Sequence, residues 1–288
     1  MKLIKQSFEI LDQQPGLEGI YKQIELSGRT CYKSEDKITE GSAKEFVDRM
    51  IKSGHGAMLE HGTVYLFIPW NEWYDKEANF RYFYNKYSIH KRVKDVGVYI
   101  TTNYRVLVEN CWLDDLKYIC EPTEHHEKRI TVKFITDQGI LREFTRHRRF
   151  SFAVESTRYC NYSRSKFSNE VTFIQPNWIS DEDVKNYHMD FDYFTDQDDN
   201  HITTINRFMS ALKNAEYFYM ELIKLGWKPQ QARNVLPLAT KCDMVMTGFV
   251  SDWKHFFELR DATSAHPQAQ ELAHSLHETF IQRGYIKD

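Results

Sequence analysis

The 288-residue chain is poor in the features that staple or anchor a protein from outside its core. Its five cysteines, Cys31, Cys111, Cys120, Cys160 and Cys242, are odd in number, widely spaced and without a CxxC pair. That excludes a disulfide framework and a zinc site of familiar spacing, and it fits reduced thiols. No run approaches the roughly 18 apolar residues that span a bilayer. The opening residues, MKLIKQSFEILDQQPG, lack the apolar stretch of a signal peptide. The expectation is a cytoplasmic protein with no membrane segment. Glycine (12) and proline (7) are scarce, and no repeat or low-complexity linker breaks the chain. Neither sign of charge dominates: 38 Lys and Arg against 41 Asp and Glu leave a net charge of −3. No protein-wide field therefore draws the chain onto nucleic acid or anionic membrane.

Aromatic residues, by contrast, make up 15% of the chain, which suits packed cores and sites for flat ring systems. Periodicity places a helix over 39–53, ended by Gly54, and strands over 63–69 and 129–136. GILREFTRHRRF (139–150) has helical period, and EVTFIQP (170–176) reads as a strand. Residues 180–201 form an acidic stretch expected at the surface. The strongest helical pattern runs over 202–226, with Met209, Leu212 and Tyr219 in its apolar stripe and Gly226 as its stop. Two more helices are expected over 249–260 and 266–282. The combination predicts an α+β fold: an antiparallel sheet packed with long helices.

The basic character is local. Between Arg146 and Ser165 lie five arginines (Arg146, Arg148, Arg149, Arg158, Arg164) and the hydroxyls of Ser151, Ser156 and Thr157. Arginine suits phosphate because its planar fork makes paired, charge-assisted hydrogen bonds. On residue types alone, a bound phosphate ester competes evenly with a solvated basic helix end or a nucleic-acid contact. GHGAMLEH (54–61) reads as a loop; its two histidines and one glutamate match no common metal spacing, so no metal is expected. Arg233 and Arg260, each beside apolar helix residues, would separately read as structural ion-pair partners.

Taken together these segments resemble the flavin-dependent thymidylate synthases, the thymidylate synthase complementing protein family. RHRRFSFAVESTRY matches the signature RHRxxSxNExSxR at Arg146, His147, Arg148, Ser151, Ser156 and Arg158. Ala153 and Val154 stand where the family has Asn and Glu, with Glu155 one residue later. SGRTCY (27–32), GHGAMLEH, QQARNVLPLAT and WKHFFELRDATSAHPQAQE resemble four further family blocks, in the family's order. The resemblance implies a single catalytic domain over 1–288, with an atypical insertion at about 69–128.

It also implies an activity: reductive methylation of dUMP to dTMP, with methylenetetrahydrofolate as carbon donor and NADPH-reduced FAD as hydride source. By position, Glu143, Arg146, Glu155, Ser156, Thr157, Arg158, Arg233 and Arg260 would meet dUMP. Arg158 and Arg233 would hold its phosphate. Arg260 and Ser156 would be catalytic, with Arg260 stabilising negative charge on the uracil. Arg146, His147, Arg148, Ser251, His255 and His55 would meet FAD, although the family has Arg or Asn at positions 251 and 255 and Asn where Phe249 stands. A homotetramer with sites shared between subunits is implied as well. Two rivals remain at this stage. One is a diverged dUMP- and flavin-binding relative with lost or altered methyl transfer, motivated by Ala153, Val154 and Phe249. The other is a nucleic-acid binder using RHRR and FRYFYNKYSIHKR, which the net charge disfavours.

Overall fold

The computed structural model describes residues 1–74, 81–186 and 203–287. Most of the acidic stretch (187–201), the start of the 202–226 helix and part of the aromatic segment (75–80) lie outside the described residues. Two strands open the chain, β1 (Lys2–Ile4) and β2 (Ser7–Leu11), then three helices, α1 (Gly16–Tyr32), α2 (Ser42–Ser53) and α3 (Gly56–Leu59). Next come β3 (Thr63–Pro69), α4 (Trp70–Tyr74), β4 (Ile89–Val93), β5 (Gly97–Asn103) and α5 (Tyr104–Glu109). The middle holds β6 (Arg129–Asp137), α6 (Gln138–Phe144), β7 (Ser151–Val154), β8 (Thr172–Ile174) and α7 (Asp181–Lys185). The last part holds α8 (Thr204–Lys224), α9 (Pro229–Ala232), β9 (Lys241–Phe249), α10 (Val250–Arg260) and α11 (Pro267–Gln282).

Four antiparallel strands in the order β2-β6-β9-β7 make the main sheet, and β3-β5-β4 a second antiparallel one; β1 and β8 pair in parallel. The α+β architecture with antiparallel sheets is thus present. Alternation along β6 sends Ile130, Val132 and Phe134 into an apolar core with Met244 and Met246 of β9. Helices α6, α10 and α11 cover that face through Phe144, Trp253, Phe256 and Phe280, all fully buried. The opposite face carries Thr131, Lys133, Thr247 and Asp243, and α1 and α3 pack against its β7–β9 side. A second apolar core joins α1 and α2 to the β3-β5-β4 sheet, and a third joins α8 and α9 to β8.

Local chemistry sets several boundaries. Gly54 caps α2 in the left-handed region at φ 71°. The side chain of Asp137 caps α6 by accepting from Ile140 N–H, and that of Thr203 caps α8 by accepting from Asn206 N–H. The helix expected over 139–150 ends at Phe144 instead. Residues 145–150 form successive turns that swing Phe150 into the core, 4.7 Å from the Trp253 ring. They also deliver Ser151 to β9, opposite Thr247. Gly248 makes this crossing possible: a Cβ there would sit 2.4 Å from the Phe150 ring. The loop expected at 54–61 contains the short α3.

Candidate active site

The turns after α6 and the face of α10 enclose a cavity of about 440 Å3. Its lining includes Arg146, His147, Arg148, Ser251, His255 and Arg260, together with Phe150 and Leu259. Arg260 is fixed at three points: Nη1 donates to Glu143 Oε2 at 2.7 Å, Nη2 to the Glu143 carbonyl at 2.8 Å, and Nε to His147 Nε2 at 3.0 Å. An imidazole nitrogen that accepts must be unprotonated, so the His147 proton sits on Nδ1. Burial, with Arg260 and His255 nearby, pulls the His147 pKa down to about 4 and keeps the ring neutral. Arg146 and Arg148 are exposed at the rim, and among the described residues neither has an ion-pair partner. Two unpaired guanidinium groups beside aromatic and aliphatic walls fit the diphosphate and rings of a flavin dinucleotide.

A second cavity, of about 340 Å3, lies at the start of α6 and the turn after α9. Arg142, Thr157, Arg233, Asn234 and Thr240 line it, with no carboxylate among the lining residues. Arg233 Nη1 donates to Thr157 Oγ1 at 2.9 Å. Two cations, two threonine hydroxyls and the Asn234 amide with no competing anion suit a phosphate group. Arg142 had not been singled out from the sequence; its place four residues before Arg146 was the available signal. A third cavity, of about 200 Å3 between the two larger cores, sets Asp12 and Glu121 against Lys128 and Arg129 and lies apart from the signature.

The remaining sequence-predicted residues fall elsewhere in the chain. Arg158 is exposed and lies 5.4 Å from its neighbour's Tyr159 ring. Ser156 donates its backbone N–H to Cys31 O at 2.8 Å. His55, at the N-cap of α3, is exposed and lines none of these cavities. Glu155 is buried, with its carboxylate engaged by Lys241, Tyr162 and the Asp243 N–H. Ala153 is buried on β7, Val154 packs against the apolar core, and Phe249 lies 5.5 Å beneath the Arg129 guanidinium. Burial pushes the Cys160 thiol up to about 12, so it stays protonated at neutral pH and offers no thiolate nucleophile. Among the described residues, no cluster of His, Cys, Asp and Glu is placed to hold a metal ion. No described helix is long and apolar enough to cross a membrane.

Residues 96–283 match the family described as thymidylate synthase complementing protein. The chain belongs to this family. It is 27% identical over 153 residues to a "Probable flavin-dependent thymidylate synthase" of Paramecium bursaria Chlorella virus 1, covering 53% of this chain and 66% of that protein. It is also 27% identical over 164 residues to a "Flavin-dependent thymidylate synthase" of Haloarcula marismortui, covering 54% and 63%. The chain thus spans a little under two thirds of these relatives' length. Among solved structures it resembles a UMP/dUMP methylase, PolB from Streptomyces cacaoi, bound with 5-Br dUMP. That match has 18% identity and a TM-score of 0.44, covering 98% of this chain and 93% of that one.

Proposed function

We propose that this chain methylates dUMP to dTMP as a flavin-dependent thymidylate synthase, with methylenetetrahydrofolate as carbon donor and NADPH as reductant. The observation that carries the reading is the fixed Arg260–His147 pair in a cavity rimmed by the unpaired Arg146 and Arg148. A carboxylate-free, arginine-lined cavity one helix away supplies a seat for the nucleotide phosphate. Arg146 and Arg148 would hold the diphosphate of FAD, with Ser251 and His255 on the same wall. FAD, when bound, supplies the hydride. Arg233, Arg142 and Thr157 would grip the dUMP phosphate, joined by Arg158, while Glu143 and Ser156 complete the nucleotide site. Arg260, already oriented before substrate arrives, would stabilise negative charge on the pyrimidine without reorganising.

His55 and Arg158 are exposed and line neither cavity within this chain, which favours a homotetramer whose sites are completed by neighbouring subunits. The single catalytic domain over 1–288 belongs to this proposal. So does an insertion at 69–128, which supplies α4, β4, β5 and α5 beside α1 and α2 and would cover the site or widen the subunit contact.

The test is anaerobic incubation of FAD-loaded protein with NADPH, dUMP and methylenetetrahydrofolate, with chromatography for dTMP. Product that requires all four is the expected result. Flavin oxidation without dTMP would favour the alternative, a diverged relative with lost or altered methyl transfer, which Ala153, Val154 and Phe249 motivate.

A further inference from the structure

Glu155 stands one residue after the position at which the family signature carries its glutamate, and its carboxylate is turned inward. Only 3% of the residue is exposed. One carboxylate oxygen accepts from Lys241 Nζ at 2.7 Å and from Asp243 N–H at 3.2 Å, and the other accepts from Tyr162 Oη at 3.2 Å. Lys241 Nζ also sits 2.6 Å from Asp243 Oδ1, and Asp243 Oδ2 is paired with Lys33, the residue that ends α1. The chain of contacts Lys33–Asp243–Lys241–Glu155 therefore ties α1 and β9 to the last residue before Ser156. Two backbone bonds finish the attachment: Glu155 N–H donates to Asp243 O and Ser156 N–H to Cys31 O, each at 2.8 Å.

A buried carboxylate with its acceptors filled from within the chain has little left to offer a ligand. What it does offer is position. Beyond it, the turn closes on itself through Tyr159 N–H and Cys160 N–H, both donating to Ser156 O, and it presents Ser156, Thr157 and Arg158. We infer that Glu155 and Lys241 are positioning residues that fix this turn, and that neither touches the nucleotide. The inference rests on the dUMP-binding role proposed above for the turn. Burial pushes the Asp243 carboxyl upward, and Lys241 and Lys33 beside it reverse this and hold it at about 2, so this carboxylate stays charged at neutral pH. Removing one member of a buried pair strands the other, whereas neutralising both does not.

The experiment compares Lys241→Met, Lys241→Arg and the double Glu155→Gln/Lys241→Gln in the full chain loaded with FAD. Amide hydrogen exchange at 155–160, dUMP dissociation constant and saturating turnover are measured for each. Lys241→Met should speed exchange in this segment and weaken dUMP at least tenfold, with turnover at saturating dUMP within about threefold of the parent. Lys241→Arg and the double variant should recover both exchange and binding. Unchanged exchange in Lys241→Met overturns the inference. So does a double variant that restores exchange yet still binds dUMP tenfold more weakly, because Glu155 would then contact the nucleotide. If the parent chain binds no dUMP, the proposed function falls, while the exchange comparison still decides whether Glu155 and Lys241 fix the turn.

Discussion

The two faces of the β2-β6-β9-β7 sheet are built from the same strands and do different work. On one, Val132, Phe134, Met244 and Met246 meet Trp253, Phe256 and Phe280 in a core without charges. On the other, Thr131 bonds Thr247 and Lys133 pairs with Asp243 across the strands, Asp243 pairs with Lys33 at the end of α1, and α1 and α3 pack alongside. His61 shows how costly that second face is. Its Nδ1 bonds Thr247 Oγ1 at 2.8 Å, while its Nε2 is buried without a partner. The signature segment is threaded between them: Phe150 enters the apolar core and Glu155 the polar network. Apolar burial is non-directional and supplies stability, whereas polar networks fix the position of the groups they join. The comparison teaches that this protein separates the two tasks by sheet face.

The division can be broken most directly in the apolar core. Trp253→Ala should cost about 3–5 kcal/mol, read from the denaturant midpoint, because a fully buried indole leaves a cavity. A cost below about 1 kcal/mol would show that stability resides elsewhere. Arg260→Ala should do the reverse. It should leave flavin binding largely intact and lower dTMP turnover by a factor on the order of 10²–10³, and unimpaired turnover would remove Arg260 from the mechanism.

Acid should sharpen the contrast. Burial depresses the folded pKa of His147 to about 4 and of His61 to about 3. The unfolded chain then binds more protons than the folded one between about pH 6.5 and those values, so stability falls as pH falls through that window. The expected loss from pH 6.5 to 5 is about 2 kcal/mol for each histidine, read from denaturant midpoints at successive pH values. His147→Gln should reduce the slope, and an unchanged slope would place the titration elsewhere. The smallest effect belongs to Arg142→Ala, which should weaken dUMP about tenfold without altering stability, as isothermal titration and thermal melting would show.

Much of this architecture could be read from residue pattern. The helices over 42–53, 250–260 and 267–282 and the strands over 63–69 and 129–137 follow from period and from stops such as Gly54. β9 did not announce itself. KCDMVMTGF is buried along both faces, at the centre of the sheet, so the apolar-polar alternation that marks a half-exposed strand is absent. The helical period of 139–150 was misleading beyond Phe144, because the chain must turn there to seat Phe150 and pair β7. The family resemblance put Arg146, His147, Arg148, Ser251 and His255 together with His55; the first five line one cavity with Arg260, and His55 does not. The inward turn of Glu155 and the contribution of Arg142 were not expected.

By itself, then, the sequence determined the α+β class, the family and the concentration of arginine that marks an anion site, because period, spacing and residue type are local properties. The tertiary structure decided which of those arginines are already held and which stand free at a rim. It also decided which carboxylate serves the fold rather than a ligand. Those outcomes depend on partners such as Lys241 and Asp243, which lie 86 and 88 residues from Glu155 and meet it only after β9 has taken its place beside β7.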